Sequence, residues 1–265
     1  MRAEINQPEA VTANEPAVRQ KLSPAAMWAR LQRLYQQPVA SLNWRFERAA
    51  GGDYRPPFYD LDQTFPALRL LDRNYDLIKT ELDALLENRE RIPRYHELDK
   101  NESYISGSQD ADKNWRVFML RSMVGTPRAN QAKCPRTTAL LRKIPNLYQA
   151  FFSILDAGKC IPAHQGYYLG YLRYHLGLKV PSTNAPTMRV KDQYHTWEQG
   201  KSILFDDSLN HEVYNQSDDV RVVLIVDVLR PMPLPLHLGN WIITRLLMRR
   251  SEEAREVMAN IKKYS

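Results

Sequence analysis

The chain has 265 residues, of which 43% are hydrophobic and 25% charged, a composition typical of a folded soluble protein with one large core. Its net charge of +7 is compatible with an anionic partner, but no run of five like charges and no nucleic-acid fingerprint occurs, so we expect no nucleic-acid function. No stretch reaches the roughly 18 apolar residues of a membrane-spanning helix, and the first residues lack the apolar core of a signal peptide. With only two cysteines, Cys134 and Cys160, the sequence predicts a cytoplasmic protein without a disulfide framework.

The N-terminal part is predicted to be helical. Residues 1–22 are expected to form a flexible tail, and a short helix should follow from Ser23, a capping serine before a proline, to Pro38. A long amphipathic helix is predicted over 65–93, because apolar residues recur there near helical spacing.

From Trp115 the pattern changes to short strands and turns. The stretch "NWRVFMLRSMV" favours a strand, "CPRTTALLRKI" a helix, and "AFFSILDAGKCIPAH" two strands joined by an Asp-Ala-Gly turn. Strand character continues to Pro231, and the remaining residues read as two helices that meet near 249–253. This order predicts a mainly β protein with flanking helices, built on a sandwich or jelly-roll core.

Polar side chains interrupt two of the apolar strands. In "GYLRYHLGL", strict alternation places Arg173 and His175 on the same face. In "DDVRVVLIVDV", Arg221 lies on a strand that is apolar on both faces, so its guanidinium should be buried and needs an anionic partner. That partner is either a protein carboxylate, with Asp206 and Asp227 as candidates, or a bound dicarboxylate.

Three of the six histidines are distinguished by their surroundings: His164, His175 and His211. Imidazole is a frequent ligand of iron, zinc, copper and nickel, and two histidines on separate strands around a cavity are compatible with a non-haem iron site. The other histidines are expected to be surface or second-layer residues: His96, His195 and His237. Trp197 is expected to pack against the barrel.

The stretch from Phe152 to Pro231 resembles the aspartyl/asparaginyl β-hydroxylase family of Fe(II)- and 2-oxoglutarate-dependent oxygenases, which also contains bacterial lipid A 2-hydroxylases. The resemblance rests on "IPAHQGYYLGYLRYHLGLKVP" and on the elements "W-x-x-G-K" and "FDDS-x-x-H-E", which occur in that order. It implies a double-stranded β-helix, a cupin-like jelly roll. One catalytic domain is then expected over 23–265, with a helical part at 23–112, the β core at about 113–231 and C-terminal helices at 232–265.

The resemblance also implies roles for individual residues. Arg221 would pair with the distal carboxylate of 2-oxoglutarate, assisted by Ser153. His175 would contact this cosubstrate near the metal, and Arg173 would hold a substrate or cosubstrate carboxylate.

His164 and His211 would be the two iron ligands, but the triplet His164-Gln165-Gly166 lacks the acid that such oxygenases usually place two residues after the first histidine. The resemblance implies that this gap is filled by water, as in the aspartyl hydroxylases, or by chloride, as in some related halogenases. The lipid-hydroxylating members of the family tend to keep the acid. Hydroxylation by Fe(II), 2-oxoglutarate and O2 is therefore expected, and the gap weighs against a lipid substrate.

The expected reaction is hydroxylation of an unactivated C–H bond in a small molecule, an amino-acid derivative or a lipid. The alternatives are a chloride-dependent halogenase, a non-catalytic barrel that binds a carboxylate, and a zinc-dependent hydrolase. The segment "GNWIITRLLMRR", with Trp241, Ile242 and Leu246, is compatible with peripheral membrane contact, but we expect it to be core or a homo-oligomer interface.

Overall fold

The structure is a computed structural model and describes residues 42–107, 113–247 and 252–265. Residues 42–265 form one compact unit. The predicted tail and first helix, residues 1–38, lie outside the described residues. Among the described helices, none has the length and apolar character needed to cross a membrane.

Short helices precede the β core. The described helices of this part are α1 (42–49), α2 (Leu61–Thr64), α3 (Arg69–Asp72), α4 (Tyr75–Leu86), α5 (Tyr95–Leu98) and α6 (Ser103–Ser106), with single 3-10 turns among them. The long helix predicted over 65–93 is therefore wrong in extent, since the chain turns at residues 73–74. There the Asn74 side chain donates a hydrogen bond to the Leu70 carbonyl at 2.7 Å, a local bond that competes with helix continuation.

The β core consists of antiparallel strands, as predicted: β1 (Phe58–Tyr59), β2 (Trp115–Arg121), β3 (Leu147–Leu155), β4 (Ile161–His164), β5 (Tyr171–Lys179), β6 (Thr187–Val190), β7 (Gln193–Thr196), β8 (Ser202–Phe205), β9 (His211–Tyr214) and β10 (Arg221–Leu229). They form a six-stranded sheet in the order β1-β8-β5-β10-β3-β2 and a four-stranded sheet in the order β4-β9-β6-β7. From β3 to β10, four strands belong to each sheet, which is the double-stranded β-helix. The predicted mainly β jelly roll is confirmed.

The helices α7 (Arg128–Lys133) and α8 (Pro135–Leu141) lie between β2 and β3, where the sequence predicts a helix. Together with α3 and α4 they cover the outer face of the six-stranded sheet, so that Leu172 and Leu176 of β5 share a core with Ile78 of α4. The inner face packs against the four-stranded sheet in a second core that includes Val223 of β10 and Val213 of β9. The predicted alternation along β5 is therefore confirmed.

Two C-terminal helices follow, α9 (Leu234–Ile242), which continues into a π-helical turn at Ile243–Leu247, and α10 (Glu252–Lys263). Their existence is as predicted, and residues 248–251 at the predicted junction lie outside the described residues. The core interpretation of the apolar stripe is wrong, because Trp241, Ile242 and Leu246 are 41%, 40% and 48% exposed. The buried side of α9 is polar instead: Asn240 donates to the Gly170 carbonyl at 2.6 Å, which turns the apolar side outward.

Candidate active site

The two histidines predicted as metal ligands lie side by side on neighbouring strands. His164 of β4 pairs directly with His211 of β9, and their ring centroids are 4.1 Å apart. Each Nδ1 is 2.8 Å from a backbone carbonyl, of Pro162 and Leu209 respectively. The carbonyls accept the Nδ1 protons, so that each Nε2 carries a lone pair, the usual orientation for a metal-binding histidine.

Both imidazoles are neutral near physiological pH. Burial, reinforced by the neighbouring ring of His211, lowers the pKa of His164 to about 4. Burial also lowers the pKa of His211, against the opposing effect of Asp207. Neutral imidazole is the form that binds a transition metal, so the pair has the donor atoms that iron requires.

A carboxylate completes the surroundings of the pair. Asp207 is buried, and its Oδ1 lies 3.4 Å from Nε2 of His211. Burial alone would raise the pKa of Asp207, but the positive charge of Arg173 brings it below its ordinary value, so the group is ionised. A lone pair and an ionised carboxylate in contact repel each other unless a cation or a proton lies between them. The arrangement therefore fits a bound metal cation, although no set of three His, Cys, Asp or Glu side chains among the described residues has metal-binding geometry.

Asp207 also occupies the space beside Gly166, where the sequence lacks an acid. A Cβ atom at Gly166 would lie 2.3 Å from Oδ2 of Asp207 and 3.0 Å from the hydroxyl of Tyr171, which itself donates to that carboxylate. The place of the absent acid therefore holds a carboxylate from another part of the chain. The sequence prediction did not include Asp207. This residue is the second acid of "FDDS" and lies four residues before His211, and that spacing was the sequence feature that could have identified it.

Arg173 joins this carboxylate to a second one. Its Nη1 donates to Asp207, while its Nε and Nη2 donate to Asp227 at 2.8 Å and 3.0 Å. Gln149 adds a 3.3 Å hydrogen bond to Asp227. Arg173 thus has two protein partners, and its predicted contact with a substrate or cosubstrate carboxylate stays a prediction.

The arginine of β10 has a different environment. Arg221 is 1% exposed, and within the part of the chain that the structure describes its Nε and Nη1 have no hydrogen-bond partner. Its guanidinium lies 4.6 Å above the Trp197 ring, and burial lowers its pKa to about 9. An isolated buried cation of this kind calls for an anion, and a guanidinium fits a carboxylate through two parallel hydrogen bonds.

The sequence left two protein carboxylates as possible partners of Arg221, and both are engaged elsewhere. Asp206 pairs with Arg55 and Arg230 at 3.0 Å and 2.7 Å. Asp227 pairs with Arg173. Neither of these two carboxylates is therefore free to pair with Arg221, and a bound carboxylate stays the alternative prediction.

Further polar groups lie on the same inner face. Both ring nitrogens of His175 and Nε1 of Trp197 are buried without a hydrogen-bond partner in the described ranges, and the two rings stack at 5.8 Å. Burial, with the charges of Arg173 and Arg221, lowers the pKa of His175 well below its usual value, so this ring is neutral. Ser153 lies beside them on β3, where its hydroxyl accepts a 2.9 Å hydrogen bond from Trp115. The predicted site residues are thus gathered inside one barrel.

The residues expected to lie outside the site are mostly at its margins. His96 is half-buried, with Nδ1 2.9 Å from the Ser106 hydroxyl, and His195 is half-buried with its ring 6.2 Å from Trp197. His237 is also half-buried. Trp197 is 2% exposed and packs inside the barrel, as expected.

Comparisons with known proteins identify the family of this chain. A profile of the family described as aspartyl/asparaginyl beta-hydroxylase matches residues 72–231. The ornithine lipid ester-linked acyl 2-hydroxylase of Rhizobium tropici is 37% identical over 207 residues, which cover 78% of this chain and 70% of that protein. Human aspartyl/asparaginyl beta-hydroxylase is 31% identical over 176 residues, but these cover 63% of this chain and only 22% of that protein. The chain therefore belongs to the aspartyl/asparaginyl β-hydroxylase family.

Proposed function

We propose that this protein is an Fe(II)- and 2-oxoglutarate-dependent hydroxylase that acts on an acyl chain of a lipid. The observation that carries the proposal is the buried guanidinium of Arg221, which has no carboxylate partner among the described residues and lies in the same barrel as a neutral histidine pair. A dicarboxylate that also binds iron satisfies both features at once.

In this proposal His164 and His211 would hold Fe(II) through their Nε2 atoms. With only two protein ligands, the metal would remain able to bind a 2-oxo acid and O2. When bound, the iron and 2-oxoglutarate supply the oxidising chemistry for the C–H bond.

The protein contributes positioning at both ends of the cosubstrate. Arg221 takes the distal carboxylate in a bidentate pair, and Ser153, which is buried on the same face, can donate its hydroxyl proton to that carboxylate. His175 supplies a polar edge along the inner wall. Arg173, fixed by Asp227, would orient Asp207 beside the histidine pair, where the negative charge of this carboxylate would favour a bound cation.

Asp207 favours hydroxylation over halogenation. A halogenase needs a position for chloride at the place of the absent acid, but here the Asp207 carboxylate fills the space beside Gly166. A second anion in contact with a buried carboxylate is strongly disfavoured by Coulomb repulsion. A non-catalytic barrel is also disfavoured, because carboxylate binding alone would not require two neutral histidines side by side on neighbouring strands.

The lipid substrate is supported by the comparison and by Asp207. The Rhizobium tropici relative is named as an acyl 2-hydroxylase of an ornithine lipid, and this chain covers most of that protein. In the sequence, the lack of an acid at position 166 weighs against a lipid substrate. In the structure Asp207 supplies a carboxylate at that place, so the residue at position 166 no longer weighs against a lipid.

The test is turnover of the purified full chain with Fe(II), 2-oxoglutarate and ascorbate, presented with an ornithine-containing lipid in detergent micelles. We expect succinate to form together with a lipid product that has gained one oxygen atom in its acyl chain, as measured by mass spectrometry. His211→Ala serves as the inactive control. Uncoupled succinate formation with unmodified lipid would reject the lipid substrate, and a chlorinated product would reject hydroxylation.

A further inference from the structure

A cleft of about 830 Å³ lies on the outer side of the molecule, next to the C-terminal helix α9. Four arginines line it: Arg121, Arg128, Arg142 and Arg245. The other lining side chains include Gln131 and Thr138, and among the described residues no Asp or Glu lines the cleft. Guanidinium groups bind phosphate through paired hydrogen bonds, and Arg128 and Arg142 are both exposed at this cleft.

The helix beside the cleft carries an exposed apolar stripe. Its members recur at helical spacing from α9 into the π-helical turn, and all are exposed: Leu234, Leu238, Trp241, Ile242 and Leu246. A stripe that combines tryptophan with long aliphatic residues is typical of a helix that lies in the plane of a bilayer surface. Arg245 belongs to this same helical segment, and its guanidinium donates to the carbonyl of Leu147, another residue of the cleft. The arginine cleft and the apolar stripe therefore form one continuous surface.

We propose that this surface docks on a phospholipid bilayer, with the apolar stripe inserted among the acyl chains and the arginine cleft holding the phosphate of an anionic headgroup. A soluble phosphate would explain the cleft but not the stripe. A symmetric dimer through this face would bring the same patch of both copies together, so the two arginine clefts would face each other across the interface, which costs Coulomb energy. An anionic bilayer supplies both the apolar layer and the opposite charge.

The position of α9 connects this surface to the active site. Asn240, on the buried side of the helix, donates to the Gly170 carbonyl and accepts from the Tyr168 hydroxyl, both at 2.6 Å. Both residues belong to the segment that leads from His164 to β5. Docking at the bilayer would thus bring this segment, which follows His164, close to the lipid phase. The proposal fits a lipid substrate but does not rest on one.

The experiment is co-sedimentation of the full chain with vesicles of phosphatidylcholine alone or mixed with phosphatidylglycerol. The stripe variant is Leu238→Glu with Trp241→Glu, and the cleft variant is Arg128→Gln with Arg142→Gln, two exposed arginines. The matched control is Arg89→Gln with Arg91→Gln, which removes the same charge from an exposed 3-10 turn. Thermal unfolding checks that each variant folds.

We expect the wild-type protein and the control to bind the anionic vesicles at least about tenfold more tightly than the neutral ones. The cleft variant should lose this preference, and the stripe variant should lose binding to both kinds of vesicle. Equal binding by the cleft variant and its control, or undiminished binding by the stripe variant, would overturn the proposal.

Two other results would also overturn it. A dimer in solution that the stripe variant dissociates, without vesicle binding, would assign the stripe to a second copy of the chain. Binding of inorganic phosphate by calorimetry, without vesicle binding, would make the cleft a soluble-anion site. The measurement needs neither iron nor turnover, so its failure would leave the proposed hydroxylation untouched.

Discussion

Two arginines on the inner face of one sheet differ in their partners. The half-buried Arg173 of β5 binds two carboxylates, Asp207 and Asp227, whereas the buried Arg221 of β10 has two guanidinium nitrogens without a hydrogen-bond partner among the described residues. We call the first arginine, its two carboxylates and the histidine pair the paired end of the barrel, and Arg221 with Trp197 the unpaired end. An isolated buried charge destabilises a fold, so the unpaired end is organised for a ligand and the paired end for precise positioning.

The largest expected effect tests whether the paired end holds the metal. His164→Ala or His211→Ala should abolish Fe(II) binding and turnover with little loss of stability, because the Nδ1 of each ring makes one hydrogen bond to a backbone carbonyl. Calorimetric Fe(II) titration and succinate formation measure both effects. Wild-type iron affinity and rate in either variant would show that the ligand assignment is wrong.

The sharpest test of the comparison is the same substitution at the two arginines. Arg173→Met leaves two buried carboxylates without their cation, so the free energy of unfolding should fall by about 3 to 5 kcal/mol. Arg221→Met leaves no carboxylate behind, so the free energy of unfolding should stay constant or rise. Urea unfolding of the two variants at neutral pH measures this difference. The reverse ranking would contradict the distinction between the two ends.

Substitution of Arg221 at the unpaired end should weaken the affinity for 2-oxoglutarate. Arg221→Ala is expected to raise the KM for 2-oxoglutarate by about a hundredfold or more, since loss of one partner of a buried ion pair costs about 3 to 5 kcal/mol. Arg221→Lys should restore only part of the affinity, because an ammonium group cannot form the bidentate pair. Succinate formation over a range of 2-oxoglutarate concentrations gives the KM. An unchanged KM in both variants would return Arg221 to a structural role.

A smaller effect is expected at Gly166, where the paired end is tightly packed. Gly166→Ala places a methyl group against the Asp207 carboxylate, and the resulting overpacking should cost about 1 to 3 kcal/mol of stability. Gly166→Asp should cost more, because it adds a second buried carboxylate beside the first. The control is Gly239→Ala in α9, where no atom lies within 4 Å of the new Cβ and the substitution should be neutral or stabilising. Thermal unfolding of the three variants decides whether Asp207 fills this space.

The sequence predicted the residues of this site better than their connections. Strand alternation places Arg173, His175 and Arg221 on the inner face, because successive side chains of a strand point to opposite sides and the aliphatic residues identify the outer one. It does not reveal that Asp207, which lies in a turn outside the strand pattern, approaches Gly166 from 41 positions away in the chain. Which of the two arginines pairs with a protein carboxylate therefore depends on tertiary contacts and cannot be predicted from strand alternation.

The helices show the same limit. The apolar spacing of residues 65–93 identifies the buried side, yet the chain turns at Asn74, where a side-chain hydrogen bond to the backbone replaces helix continuation. In α9 the apolar stripe suggested core, but Asn240 anchors the opposite side to Gly170 through hydrogen bonds. Hydrophobic periodicity alone thus fixes neither where a helix ends nor which side of it faces the core, and a few polar contacts decide both.

The smallest expected effect concerns a carboxyl group that has no share in the arginine pairing of Asp207 and Asp227. Glu102 is half-buried and hydrogen-bonded to Tyr95, and burial raises its pKa from 4.5 to about 7. The folded protein therefore binds this proton more tightly than the unfolded chain, so the stability contributed by the protonated group is lost as pH rises from 4.5 through about 7. Glu102→Gln keeps the hydrogen-bonding shape without the charge, so it should be more stable than the wild-type protein by about 1 kcal/mol at alkaline pH and equal to it at acidic pH. Urea unfolding across this pH range measures the difference, with Glu87→Gln at an exposed position as control. If the difference between Glu102→Gln and the wild-type protein did not grow with pH, Glu102 would be compensated by a cation as Asp207 and Asp227 are, and the contrast between paired and unpaired charges would not extend to this group.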